Sequence, residues 1–184
     1  MVPRLAVLSG FPGSGKTCVA SFMAKELGYL RLSSDETRYM LFQKNYVELK
    51  KMPDREHLEF DILFPLIDQC KTFLLYKGCD VVIDSSAPKN WIRKPLLDTE
   101  YGGDIIKADK ALIILDVDKE VLMTRPHPEA IEEWEKYWQE PVEGDYQILR
   151  YKNNSEEDLA SIKNDLRRRF PPRGMQAGLE MFMT

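Results

Sequence analysis

Eight residues, Gly10-Phe11-Pro12-Gly13-Ser14-Gly15-Lys16-Thr17, follow the spacing G-x-x-x-x-G-K-T. Glycines at these positions let consecutive backbone N–H groups turn inward as an anion nest, where larger side chains would block a phosphate. The next two residues add charge and a metal ligand: Lys16 is placed to reach the β- and γ-phosphates, and the Thr17 hydroxyl to bind Mg²⁺. The pattern predicts a site for ATP with magnesium, held by Gly10, Gly13, Ser14, Gly15, Lys16, Thr17 and Cys18. Its context agrees, because an apolar strand pattern ends at Ser9 and a helical pattern opens at Lys16.

The rest of the chain narrows how a bound triphosphate would be used. The guanine-reading N-K-x-D and the switch sequence D-x-x-G are both missing. The apolar runs that end in aspartate continue as Asp84-Ser85 and Asp116-Val117, so no glutamate follows to polarise a water. A kinase, which excludes water and uses a substrate hydroxyl as nucleophile, fits this pattern better than a hydrolase. Asp84 closes the strand Val81-Val82-Ile83 and is a candidate for the magnesium shell, acting through water; the plainer alternative is a strand-end cap.

Taken in order, Gly10 to Thr17, Ser33-Ser34-Asp35-Glu36-Thr37-Arg38, Val81 to Ser86 and an arginine near 125 resemble the small P-loop kinases. That group includes the phage-type polynucleotide 5′-hydroxyl kinases and the zeta toxins. The resemblance implies that Asp35 takes the proton from the attacking hydroxyl. A carboxylate at the carboxyl edge of a parallel sheet can do so while facing the γ-phosphate. The competing reading of Asp35 is an acid that satisfies a helix N-terminus. Arg38 would grip an anion on the acceptor, brace Asp35, or form a surface pair. Kinases of this kind bring arginines over the phosphates on closure, which makes Arg125 the lid candidate. His127 reads as a loop residue. The resemblance also places adenine near Asn153 and Asn154. Where relatives often continue the third strand with threonine and asparagine, this chain has Ser85-Ser86-Ala87.

Strands are predicted at Leu5–Ser9, Val81–Asp84 and Ala111–Asp116, with weaker ones at Tyr29–Leu32 and Tyr146–Arg150. Helical spacing covers Lys16–Leu27, Asp35–Leu49, Arg55–Tyr76, Trp91–Leu97, Val121–Trp138 and Glu156–Arg169, with Pro126 and Pro128 interrupting the fifth and Ser155 as N-cap of the last. Alternating strands and helices predict an α/β chain with a single-domain P-loop NTPase fold: a five-stranded parallel sheet, helices on both faces and a helical lid. The expected kinase domain spans 1–170 with its lid over about 118–145, and 171–184 form a tail.

At 184 residues with 43% apolar and 30% charged side chains, the chain can bury one sizeable core. Its net charge of −4, with nine acidic residues against three basic between 118 and 145, disfavours a long nucleic acid partner. Arg167-Arg168-Arg169 reads as a solvated helix end. Trp134, Tyr137 and Trp138 read as core residues at helical spacing, although they could also stack on a base or sugar. Three cysteines without C-x-x-C spacing, no apolar run long enough to span a bilayer and no signal peptide lead us to expect a cytoplasmic protein. The expected reaction is phosphoryl transfer from ATP to a hydroxyl of a small metabolite, nucleoside or nucleotide. The alternatives are a polynucleotide 5′-hydroxyl kinase and a toxin-like or regulatory ATP-binding module.

Overall fold

A computed structural model of the chain describes residues 1–126 and 128–173; His127 and residues 174–184, most of the expected tail, lie outside the described residues. Strand β1 (Arg4–Ser9) is buried along its whole length. It feeds the phosphate loop and helix α1 (Lys16–Leu27), which Gly28 ends in a left-handed turn. Strand β2 (Leu30–Ser33) leads directly into helix α2 (Ser34–Phe42), with the Ser33 side chain capping the Glu36 amide.

The single helix expected over 35–49 is two helices. α2 stops where Gln43 turns left-handed, and α3 (Tyr46–Lys50) restarts on a capping box between Asn45 and Glu48. The helix expected over 55–76 has two parts as well. Residues His57–Leu63 form a widened π-helical turn before α4 (Phe64–Tyr76). Pro65, at the start of α4, has no N–H to donate to the preceding turn, and a widened turn accommodates its ring.

Strand β3 (Val81–Asp84) is followed by α5 (Asn90–Leu97) and a small antiparallel hairpin of β4 (Glu100–Tyr101) and β5 (Asp104–Ile105). Strand β6 (Asp109–Asp116) precedes a short helix α6 (Lys119–Leu122), a 3₁₀ turn at Pro128–Ala130 and α7 (Ile131–Tyr137). Pro126 and Pro128 thus split the region into short pieces where apolar spacing alone reads as one helix. Strand β7 (Gln147–Lys152) and α8 (Glu156–Arg169), capped by Ser155, complete the chain.

The main sheet is five-stranded and parallel, in the order β2-β3-β1-β6-β7. Alternate side chains of its strands enter two separate cores. Ala6, Leu8, Val82 and Ile113 pack with α1 and α8; Leu5, Val7, Ile83 and Ile114 pack with α4 and α5. The strands are therefore apolar without alternation. Among the described residues no helix is long and apolar enough to cross a membrane. β1 sits between β3 and β6, so the loops after β1 and β3 meet at one carboxyl edge, where ligands bind in sheets of this topology.

The opposite edge is tied by ions. Asp80, fully buried, accepts hydrogen bonds from the Arg4 amide at 2.8 Å and from Arg4 Nε at 2.6 Å. Arg173, in the described part of the expected tail, lies 3.4 Å from the same carboxylate and donates to the Val2 carbonyl. Replacing Asp80→Asn leaves the buried Arg4 without its counter-charge. Stability should fall by about 3 kcal/mol, seen as a lower urea midpoint with an unchanged m value.

Candidate active site

The phosphate loop turns on Gly15, whose φ of 93° is left-handed and whose missing Cβ would lie 2.4 Å from Asn153 Nδ2. A side chain there would be both strained and blocked. Lys16 follows as the first residue of α1. The residue is 8% exposed, and its amine donates to the carbonyls of Gly10 at 3.0 Å and Phe11 at 2.7 Å. Burial lowers its pKa to about 8, against the opposing pull of Asp84 and then Asp35. Thr17 and Cys18 are exposed on the same first turn.

Asp84 ends β3, whereas Asp35 lies in the first turn of α2, and both line one cleft with Lys16. Asp84 is buried, and its Oδ2 accepts from Arg31 Nη2 at 2.7 Å and from Arg31 Nε at 3.2 Å. Asp35 is exposed and bonded to Arg38. Arg38 is buried, and its remaining donors go to Glu59, with Nε at 3.2 Å and Nη2 at 3.1 Å from Oε1. Glu59 accepts in turn from Arg55 Nε at 3.1 Å, and Arg55 donates to the Tyr46 hydroxyl at 3.1 Å. Arg38 is thus buried between Asp35 and Glu59 and is not a surface pair.

Arg125 approaches the loop from the other side. Its Nη1 donates to the Gly13 carbonyl at 2.9 Å and its Nη2 to the Asn153 carbonyl at 2.8 Å. Asn153, buried, donates from Nδ2 to the Ser14 carbonyl at 2.7 Å. On the β3 side, the Gly10 amide donates to the Ser86 carbonyl at 3.2 Å, and Ser9 Oγ donates to the carbonyls of Ser86 and Ala87. Ser85-Ser86-Ala87 thus serves the loop through its backbone. Arg93, 1% exposed, donates to the carbonyls of Ala87, Pro88 and Gln139 and lies 4.6 Å from the Trp138 ring, which stacks on Phe11 at 5.6 Å. Burial lowers the Arg93 pKa to about 10, so its charge is retained at neutral pH.

A continuous cleft of about 930 Å³ runs along this edge. Gly13, Gly15, Lys16, Thr17 and Cys18 line one end; Asp35, Arg38 and Asp84 line it farther along. Gly10 and Ser14 lie behind that surface, and Arg125 lies outside it across Gly13. Trp134 and Tyr137 also line the cleft, so they are not core residues; Trp138 packs on Phe11 and Arg93. Sequence reasoning missed Arg31, Glu59 and Arg93. Arg31 left a signal, as a charged residue inside the short strand β2.

A family model described as an AAA domain matches residues 5–128. The chain belongs to that AAA-domain family. Solved structures support the same architecture for this AAA-domain chain. A Janibacter sugar kinase, unliganded, superposes with a TM-score of 0.65 at 16% identity, covering 92% of this chain and 96% of its own. The Mycobacterium tuberculosis APS kinase, in complex with AMPPNP and APS, gives 0.59 at 17% identity, covering 91% and 98%. A Pnkp1/Rnl/Hen1 complex gives 0.54 at 25% identity over 68% of this chain and 40% of that one. No curated protein matches. The fold of the AAA-domain chain is therefore that of the P-loop kinases.

The lowered pKa of Lys16 predicts a pH dependence. The fold disfavours the charged amine, so this penalty on stability is fully present below pH 8 and is relieved between about 8 and 10.5. A bound polyphosphate reverses the preference by attracting the charged form. MgATP affinity should fall as pH rises through about 8, and binding at pH 8.5 should take up a proton. Calorimetry in two buffers of different ionisation enthalpy measures that uptake, and Lys16→Met should abolish it.

Proposed function

We propose that the chain is an ATP-dependent kinase that transfers the γ-phosphoryl group to a hydroxyl of a small metabolite, nucleoside or nucleotide. The observation that carries this reading is that Lys16, Asp84 and Asp35 share one cleft, with both carboxylates near enough to help hold the Lys16 proton against burial. A nucleotide-only module would have no use for an exposed, braced carboxylate there.

In this reading the amides of the loop from Gly10 to Cys18 bind the phosphates, and Lys16 neutralises the charge that spreads over the transferring group. Asp35 accepts the proton of the acceptor hydroxyl while that hydroxyl's oxygen bonds to the γ-phosphorus and the bond from phosphorus to the β-phosphate oxygen breaks, releasing ADP. Arg38 positions Asp35. Arg125 is the lid arginine of the 118–145 segment, within a kinase domain spanning 1–170.

Among the described residues no cluster of three or more His, Cys, Asp or Glu side chains is arranged to hold a metal ion. Magnesium still fits, because it takes few protein ligands and keeps its waters and the phosphates. The Thr17 hydroxyl and the Asp84 carboxylate are hard oxygen donors of that kind. When bound, magnesium neutralises the β- and γ-oxygens.

A polynucleotide 5′-hydroxyl kinase is the weaker reading. A phosphate of its acceptor would have to displace Glu59 or Asp35 from a buried Arg38, and the 118–145 segment is acidic. Asp35→Asn should lower kcat by about a hundredfold or more and leave ATP affinity within about twofold. Transfer of labelled γ-phosphate into a metabolite extract measures the first, and calorimetry the second. Retained turnover would exclude Asp35 as the base.

A further inference from the structure

Past Asp35 the cleft changes character. Its walls there carry Tyr39, Tyr46, Phe60, Trp91, Trp134 and Tyr137, drawn from four helices and the widened turn before α4. The rings brace one another: Phe60 meets Trp91 edge-on at 4.8 Å, and Tyr46 lies 6.5 Å from Trp134. Tyr39, Trp91 and Tyr137 remain 58%, 50% and 42% exposed, unusual for large aromatic side chains in a folded domain.

The charges in this region cancel. Arg38 pairs with Asp35 and Glu59, Arg55 with Glu59, and Lys50 with Glu133. The two remaining charges, Glu56 and Lys89, are of opposite sign, and Lys89 lies 4.7 Å from the Tyr137 ring. An anionic acceptor would find no surplus of positive charge beyond the phosphate end. A polyol would find the buried Arg38 and Glu59 already committed to each other, and freeing them is costly. A flat ring would find aromatic faces free to stack.

We propose, resting on the kinase reading above, that the acceptor is an uncharged alcohol whose hydroxyl is carried on a flat ring-bearing body of the size and kind of a nucleoside. The volume of about 930 Å³ lies near the upper end of the ~300–1,000 Å³ typical of small-molecule sites. It has room for a polyphosphate at one end and such an acceptor at the other.

The test measures ADP release by the full chain with MgATP and three sets of acceptors: the four ribonucleosides, ribose and gluconate, and the ribonucleoside 3′-monophosphates. At least one nucleoside should exceed both other sets by about tenfold in kcat/KM. Trp91→Leu and Trp134→Leu should each raise its KM about tenfold and leave kcat within about twofold, as expected for lost stacking away from the reacting atoms. Unchanged melting curves would show that the variants are folded. Ribose, gluconate or a 3′-monophosphate turned over as well as the nucleosides would overturn the proposal and leave the kinase reading standing, as would an unaltered KM in both variants. If neither these acceptors nor the metabolite extract takes up phosphate the kinase reading fails, and tryptophan fluorescence of the ADP-loaded protein then decides the site itself. Nucleoside quenching lost in Trp134→Leu supports it; no quenching overturns it.

Discussion

Keeping a positive charge on a buried amine is the constraint around which this cleft is organised. Lys16 is buried at the start of α1, and burial alone favours losing its proton. Two carboxylates oppose that loss, and each is paired with an arginine. Asp84 is held by Arg31, which reaches Glu36 in turn; Asp35 is held by Arg38, then Glu59, then Arg55. The result is an alternating lattice of charge running from the phosphate loop to the far wall. Removing any buried member would expose the next to an unpaired neighbour, which costs more than the net worth of the pair.

The loop's shape is maintained from three sides by backbone carbonyls. The β3 side holds Gly10 through Ser86, the β7 side holds Ser14 through Asn153, and the segment after α6 holds Gly13 through Arg125. Ser14 and Gly13 are held by side-chain donors to their carbonyls, and Gly10 by its own amide. A glycine-rich segment pays a high conformational entropy to be ordered, and these contacts offset part of it.

What the sequence made legible followed from local chemistry. The phosphate loop, α1 and its end at Gly28, the Ser155 cap and the three strongly apolar strands depend on residues within a few positions of each other. The division between α2 and α3 was hidden because its left-handed residue is Gln43, a glutamine where a glycine or asparagine would have been the signal. The widened turn left only Pro65 as a hint. The partners that fix the site were out of reach for another reason. Asp84 meets Arg31 across 53 positions, Arg38 meets Glu59 across 21 and Ser14 meets Asn153 across 139. Only the strand order brings these residues together, and composition alone offers many equally charged partners for each.

The aromatic wall on α7 is tied to the same framework. Its segment is anchored before the helix by Arg125 on Gly13, and after it by Trp138 on Phe11 and by Gln139, whose amide donates to the Pro88 carbonyl at 2.9 Å. Arg93 joins that second anchor to the loop after β3. Both ends of the stretch bearing Trp134 and Tyr137 therefore rest on residues that also shape the phosphate loop. A shift of Gly13 or Phe11 on filling the loop has to be absorbed between the two anchors, where Lys50 to Glu133 is the ion pair reaching across to α3. The aromatic wall and the phosphate loop thus share their supports, Arg125 on Gly13 at one end and Trp138 on Phe11 at the other.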